Sequence, residues 1–229
     1  MQKIGLAFSG GKDSWACLWL NKDRLDDIEV IWVNTGKNYP ELLATIDHAK
    51  KLCPHFTEIN SDRETQNRIY GIPSALVPVD WTVEGQLFSG QKQVTVQPYL
   101  NCCYQNIGAK ITEYCKAHGI THIIRGQRND EIHKSAISDG TEIDGITYIQ
   151  PLDNWTADDV LSFVEKNMPL PDHFRFSHSS MDCYDCTAYL DESQDRIGYM
   201  RNYHPSLYEE FQQRRELLIS VIMQSAKGI

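Results

Sequence analysis

Residues 4–14 read Ile4-Gly5-Leu6-Ala7-Phe8-Ser9-Gly10-Gly11-Lys12-Asp13-Ser14, and the rest of the chain is organised around them. Ile4 to Phe8 is a short apolar run, the pattern of a buried parallel strand. Ser9, Gly10 and Gly11 make a turn with little side-chain bulk. From Lys12 to Leu20 a helix is expected, with Trp15, Leu18 and Trp19 on one stripe. Strand, glycine turn and helix together aim backbone N–H groups and a positive helix end at an anion. Gly10 and Gly11 permit dihedrals and a close approach that a Cβ would forbid. Ser9 and Ser14 offer hydroxyl donors and Lys12 adds a point charge. An ordinary βα turn of small residues is the plain alternative. The loop is not of the Walker type, which needs Gly-x-x-x-x-Gly-Lys-Ser/Thr.

Working outward, Ile28 to Val33 reads as a second buried strand, followed by Asn34-Thr35-Gly36. Tyr39-Pro40-Glu41 opens a helix to about Leu52, with Pro40 suited to its start and Glu41 to its positive end. Phe56 to Ile59 is a third strand. This alternation predicts an α/β fold, a doubly wound, mostly parallel twisted sheet with helices on both faces. Ligands in such sheets lie beyond the carboxyl ends of the strands, where Ser9–Ser14 and Asn34–Glu41 both fall. Residues 60–100, rich in Pro and Gly, predict a long excursion of short elements, in the manner of a lid or insert. A helix is expected from Cys102 to His118, ending at Gly119, then a strand from Thr121 to Arg125. Asp139-Gly140 and Asp144-Gly145 mark turns flanking a hairpin. Thr156 is a plausible N-cap for an amphipathic helix to Asn167. A closing helix spans Tyr203 to Ser225, with Leu207, Phe211, Leu218 and Ile222 facing the body. The expected division is 1–190 for the main domain and 191–229 for a C-terminal helical extension.

Across 229 residues, 22 Lys and Arg against 31 Asp and Glu give a net charge of −9. That argues against a broad nucleic-acid-binding face, so a nucleic-acid acceptor has no support from net charge. No apolar run reaches membrane-spanning length, and Met1–Lys3 leads straight into the first strand, so a cytoplasmic location is expected. Of seven cysteines, Cys17 and Cys115 lie in helical patterns and read as small core residues, and Cys53 has no obvious partner. Cys102-Cys103 and Cys183-Tyr-Asp-Cys186 call for a separate account. Four soft thiolates suit an iron–sulfur cluster or zinc; a redox dithiol at Cys183 and Cys186 is the other reading. Adjacent Cys102 and Cys103 both reach one centre only where the backbone is bent, as at a helix N-terminus. His173 and His178 stand near Cys183 in sequence and read as polar loop residues before ligands.

Several segments, in order, resemble one family. Ser9-Gly-Gly-Lys-Asp-Ser14 resembles the PP-loop of the adenine nucleotide α-hydrolases. Asn34-Thr-Gly-Lys-Asn-Tyr-Pro-Glu41 resembles the Asp-Thr-Gly-x-x-Phe-Pro-Glu segment of the phosphoadenosine phosphosulfate (PAPS) reductase family. Gly126-Gln-Arg128 resembles its Gly-x-Arg motif, Pro151-Leu-Asp-Asn-Trp155 its Pro-Leu-x-x-Trp segment, and Cys183-Tyr-Asp-Cys-Thr187 its Cys-x-x-Cys-Thr segment. In the adenylyl-sulfate (APS) reductase branch a Cys-Cys pair and a Cys-x-x-Cys about 80 residues later hold a [4Fe–4S] cluster. Here 80 residues separate Cys103 from Cys183. The resemblance therefore implies Cys102, Cys103, Cys183 and Cys186 as cluster ligands. It also implies nucleotide binding by Ser9, Gly10, Gly11, Lys12, Asp13, Ser14, Asn34, Thr35, Gly36, Gly126 and Arg128.

The sequence departs from the reductases in three places. No cysteine follows Cys186, where the family carries Glu-Cys-Gly-x-His. The phosphate loop is intact, as in ATP-splitting relatives. Basic residues expected after the Cys-Cys pair give way to Tyr104-Gln-Asn-Ile-Gly-Ala109, with Lys110 further on. The expected activity is thus ATP cleavage at the α-phosphate, with Mg²⁺, and with Lys12, Asp13 and Arg128 as catalytic residues. Arg125 and Lys134 are further candidates to stabilise charge. The alternatives are an APS or PAPS reductase using an external thiol donor, and a nucleotide-binding module without catalysis. Expected partners are an adenine nucleotide, a thiol- or electron-donor protein and a second copy of the chain.

Overall fold

A computed structural model describes residues 2–90, 92–131, 135–177, 181, 183–190 and 193–227. In chain order its first elements are β1 (Ile4–Ala7), α1 (Lys12–Leu20), β2 (Ile28–Asn34), α2 (Pro40–Leu52) and β3 (Phe56–Asn60). Then come α3 (Arg63–Tyr70), β4 (Ile72–Ser74), α4 (Val83–Ser89), β5 (Val96–Pro98), α5 (Tyr99–Cys103) and α6 (Ala109–His118). The last are β6 (His122–Ile124), β7 (Glu142–Ile143), β8 (Ile146–Ile149), α7 (Ala157–Asn167), α8 (Gln194–Tyr203) and α9 (Pro205–Ala226). Two compact units are formed: 1–34, 40–59 and 110–174 make the first, and 35–39, 60–109 and 175–229 the second. The division expected from the sequence, 1–190 and 191–229, groups the chain differently. Among the described residues no helix is long and apolar enough to cross a membrane.

The first unit is built on a six-stranded, mostly parallel sheet in the order β3-β2-β1-β6-β8-β7. β1 lies between β2 and β6, parallel to both, with Ile4 opposite Ile28 on one side and His122 on the other. The chain runs outward from β1 to β2 and β3, then returns to the other side of β1 at β6. Such a reversal leaves a crevice at the carboxyl end of the central strand. The sheet's apolar layer is Ile31, Ile120, Ile123 and Ile146 with Cys115, which is a small core residue as expected. Each such side chain, fully buried, stabilises the fold by roughly 1.5–3 kcal/mol. Gly5 sits under this layer, where a Cβ would press on the side-chain end of Ile123 at 2.9 Å.

Two local expectations are met by side-chain chemistry. Thr156 caps α7 in a reciprocal capping box with Asp159, and Val160 and Val164 of that helix are buried. Asp144-Gly145 forms the tip of the β7–β8 hairpin rather than a flank, with φ of +56° and +78°. Both central residues of such a turn need positive φ, which Asp and Gly tolerate.

The second unit holds the 60–100 excursion, which is indeed made of short elements. Its parallel pair β4–β5 packs Ile72 and Val96 against Leu218 and Val221 of α9. The expected closing helix over 203–225 is α9, which starts at Pro205; a separate helix, α8, precedes it and ends at Tyr203, because Pro205 has no N–H to continue it. Of its expected inward face, Phe211 and Leu218 are buried while Leu207 and Ile222 are half-buried. The expected Cys102–His118 helix begins earlier, at Tyr99, and passes through a π-helical turn at Tyr104–Gly108. A π turn inside a helix is rare and commonly marks a functional site.

Candidate functional site

In the first unit, the loop after β1 runs straight into α1, whose N-cap is Gly11. Gly10 has φ +79°, and a Cβ on it would stand 2.4 Å from Leu42 Cδ1. The positive φ is what favours glycine there, since the Leu42 side chain can shift aside. Gly126, just past β6, is needed for another reason: its Cβ would fall 2.8 Å from the Asp13 carbonyl carbon. That contact presses the residues after β6 onto the first turn of α1. The side chains of Arg128 and Asp13 meet there as an ion pair.

Asp13 also accepts from Lys12 Nζ at 2.8 Å, so one carboxylate holds two cations. Arg128 Nε donates to Asp130 at 2.8 Å, and its backbone N–H donates to Glu131 at 3.2 Å. Arg128 is buried; burial opposes its charge, but the hydrogen bonds and charges of Asp13 and Asp130 win and hold its pKa above the usual value. Burial pushes the Glu131 carboxyl up, against the Arg128 hydrogen bond. Ser9 and Ser14 bond within the loop, Ser14 Oγ donating to the Gly11 carbonyl at 2.9 Å. Asn34 donates to Glu58 at 2.7 Å. Arg125 lays its guanidinium over the Tyr148 ring, 5.7 Å from the centroid. His173 is buried, and desolvation lowers its pKa. Lys134 and His178 lie outside the described residues.

Thr35 and Gly36 belong to the second unit, as do all four cysteines of the Cys-Cys and Cys-x-x-Cys pairs. Cys102 and Cys103 close the helical turn that starts after Pro98; Cys102 is buried and Cys103 exposed. The Cys102 sulfur accepts from Asn67 and Asn106 at 3.7 and 3.6 Å. Cys183 pairs with Asn38 in an antiparallel bridge, and its sulfur lies 3.3 Å from Thr35 Oγ1. The Cys186 N–H donates to the Cys183 carbonyl at 3.1 Å, which makes a tight turn between the two thiols.

This turn is enclosed by charge that sequence reading missed. Asp185, inside the Cys-x-x-Cys, is fully buried between Arg63 Nη1 and Arg214 Nη1, at 2.7 Å from each. Arg196, also buried, donates to the Cys183 and Cys186 carbonyls at 2.9 and 3.5 Å. Burial disfavours the Arg63 charge, yet Cys183, Asp185 and Cys102 more than offset it, so its pKa stands above the usual value. Burial pushes the Cys186 thiol up, opposed by Arg196 and Arg63. Arg63 thus acts on both pairs, Cys102 acts on Cys186, and Tyr189 couples to Cys103 and Cys186. Arg196 and Arg214 come from the stretch expected to be a mere extension. Only the polar residue within Cys-x-x-Cys was visible beforehand; Arg63 lies in the stretch with no readable pattern.

Among the described residues no group of three or more His, Cys, Asp or Glu side chains is arranged to hold a metal ion. The four cysteines are soft donors of the kind a thiolate-bound centre needs, but among the described residues they are not gathered to hold one. The Nη2 of Arg63 is buried with no hydrogen-bond partner.

Comparison with known proteins adds the following. A family model described as the phosphoadenosine phosphosulfate reductase domain matches residues 3–189. An adenosine 5'-phosphosulfate reductase of Deinococcus radiodurans is 21% identical over 169 residues, 73% of this chain. The chain spans 59% of that relative's length. Among solved structures, a phosphoadenylyl-sulfate reductase of Candida auris, in a phosphate complex, superposes with a TM-score of 0.51 at 16% identity, covering 82% of this chain and 84% of that one. An NH3-dependent NAD synthetase of Campylobacter jejuni, in complex with nitrate, gives 0.50 at 15% identity, covering 94% and 84%. Both structural likenesses are of fold.

Proposed function

The chain belongs to the phosphoadenosine phosphosulfate reductase domain family, and on that premise we propose an enzyme of sulfur metabolism that binds ATP and splits it at the α-phosphate. The observation that carries this reading is the loop itself. Lys12 and Arg128 converge on Asp13 at a glycine turn, at the carboxyl end of the central strand. A β,γ-pyrophosphate, accompanied by Mg²⁺, offers both cations more negative charge than one carboxylate does. Backbone N–H groups of the turn and the start of α1 add to the cradle. In the reaction an acceptor oxygen bonds to the α-phosphorus. The bond from that phosphorus to its bridging oxygen breaks, and pyrophosphate leaves with the electron pair. Lys12 and Arg128 stabilise the charge that gathers on the leaving group, and Asp13 sets where they stand.

Cys102, Cys103, Cys183 and Cys186 would hold a [4Fe–4S] cluster, which when bound supplies a centre for handling sulfur or electrons. Thr35, beside Cys183, belongs with that centre in this reading.

The curated relative's name favours a second reading, a sulfonucleotide reductase served by a separate thiol donor. The two part in one assay on protein purified without air. Pyrophosphate released from ATP supports the first. Sulfite released from APS or PAPS with a thiol donor, and no pyrophosphate from ATP, overturns it. Nucleotide binding with neither product leaves a binding module.

A further inference from the structure

The Pro151-Leu-Asp-Asn-Trp155 segment is remote from the phosphate loop in sequence, but it builds the start of α7, and α7 packs on α1. Leu152 is fully buried, and the Trp155 N–H donates to its carbonyl at 2.9 Å. The capping box of Thr156 and Asp159 follows. The first N–H of α7, that of Ala157, has no acceptor within the helix and donates to Asp130 Oδ2 at 2.8 Å. The other oxygen of Asp130, Oδ1, accepts from Arg128 Nε at 2.8 Å. The Ala157 N–H first, and Arg128 after it, hold the Asp130 carboxyl below its usual range against some desolvation, so it is charged at neutral pH. Arg128 Nη1 meets Asp13 and lies 3.6 Å from Glu131 Oε1. A planar guanidinium pinned at two points of its rim has its plane fixed.

We infer that Asp130 is a positioning residue for attack at the α-phosphate, tied to the start of α7 so that it keeps Arg128 aimed while the nucleotide's phosphates compete with Asp13 for the same guanidinium. This rests on the ATP-splitting reading given above. A pyrophosphate group carries more negative charge than the Asp13 carboxylate and competes with it for Arg128. Asp130 sits on Nε, apart from the nitrogen that Asp13 holds, and its own anchor is a backbone N–H at a capped helix start. Loss of Asp130 leaves Arg128 charged and beside the loop but able to tilt. The charge gathering on the leaving pyrophosphate in the transition state is then met less well, while binding of ATP through Lys12 and the glycine turn persists.

The test uses the full chain with ATP and Mg²⁺, measuring kcat and KM for pyrophosphate release, with circular dichroism as the check on folding. Asp130→Ala is expected to lower kcat about ten-fold and to change KM for ATP by less than about two-fold. Asp130→Asn keeps one acceptor oxygen in place of two and should fall between Asp130→Ala and the wild type. Thr156→Ala loosens the same helix start but keeps the Ala157 N–H for Asp130, so its kcat should stay within about two-fold of the wild type. A kcat of Asp130→Ala within about two-fold of the wild type overturns the inference, whatever happens to KM. An equal loss of kcat in Thr156→Ala also overturns it, because the effect is then one of helix stability alone. Should circular dichroism show Asp130→Ala unfolded, Asp130→Asn takes its place, with a loss in kcat of about three-fold expected and no loss overturning the inference. Wild-type protein that releases no pyrophosphate from ATP defeats the ATP-splitting reading and the inference with it, an outcome distinct from an active wild type with an unresponsive variant.

Discussion

The two charged clusters of this chain solve opposite problems. In the first unit, two cations share one carboxylate at the mouth of a glycine loop, and Lys12 and Asp13 are neighbours in sequence. In the second, Asp185 is wholly enclosed, and its two arginine partners come from helices far along the chain. The first cluster stays partly open, with 23% of the Asp13 side chain exposed. The second is structural, because removing any member leaves a charge stranded away from water.

Breaking the enclosed cluster should produce the largest effect. Asp185→Ala strands Arg63 and Arg214 and is expected to cost about 3–5 kcal/mol in urea unfolding. A cost near zero would show that water reaches that cluster. Lys12→Ala tests the loop and should slow pyrophosphate release about 10²–10³-fold while circular dichroism stays unchanged. Gly126→Ala asks whether the contact with Asp13 is tight, and overpacking of this kind costs about 1–3 kcal/mol. Thr156→Ala removes half of a capping box on α7 and should cost about 1 kcal/mol, with no effect on nucleotide binding.

The smallest effect concerns acid. Hydrogen bonds from Lys50 and then Asn34 hold the Glu58 carboxyl below its usual range. A depressed carboxyl contributes stability above its unfolded pKa and loses it as pH falls through the folded one. Glu58→Gln should therefore flatten the acid limb of the stability profile by under about 1 kcal/mol, because Lys50 and Glu58 are partly exposed. A steeper limb in the variant would reverse the sign argued here.

The same contrast explains what could be read from the chain alone. The loop, its strand and its helix are contiguous, so residue pattern and turn chemistry give them directly. Gly126 and Arg128 were reached through a motif, and their contact with Asp13 follows from the β1–β6 pairing that alternation implies. Cys103 and Cys183 carried a spacing, but the buried pair of Arg63 with Asp185 has no local signature. The contact of the Thr35 hydroxyl with Cys183 had no signal in the sequence, where the motif pointed only to the nucleotide. The π turn at Tyr104–Gly108 was also invisible, since its pattern differs from a continuing α-helix by one hydrogen-bond step.

One carboxylate in the thiol turn has a kinetic consequence. Contacts in that cluster join residues 148, 147 and 29 positions apart. A long chain closure must occur before Arg63 meets Asp185, whereas Arg214 reaches that carboxylate across 29 positions. The Arg63–Asp185 pair should thus form late in folding, after sequence neighbours β1 and β2 have paired.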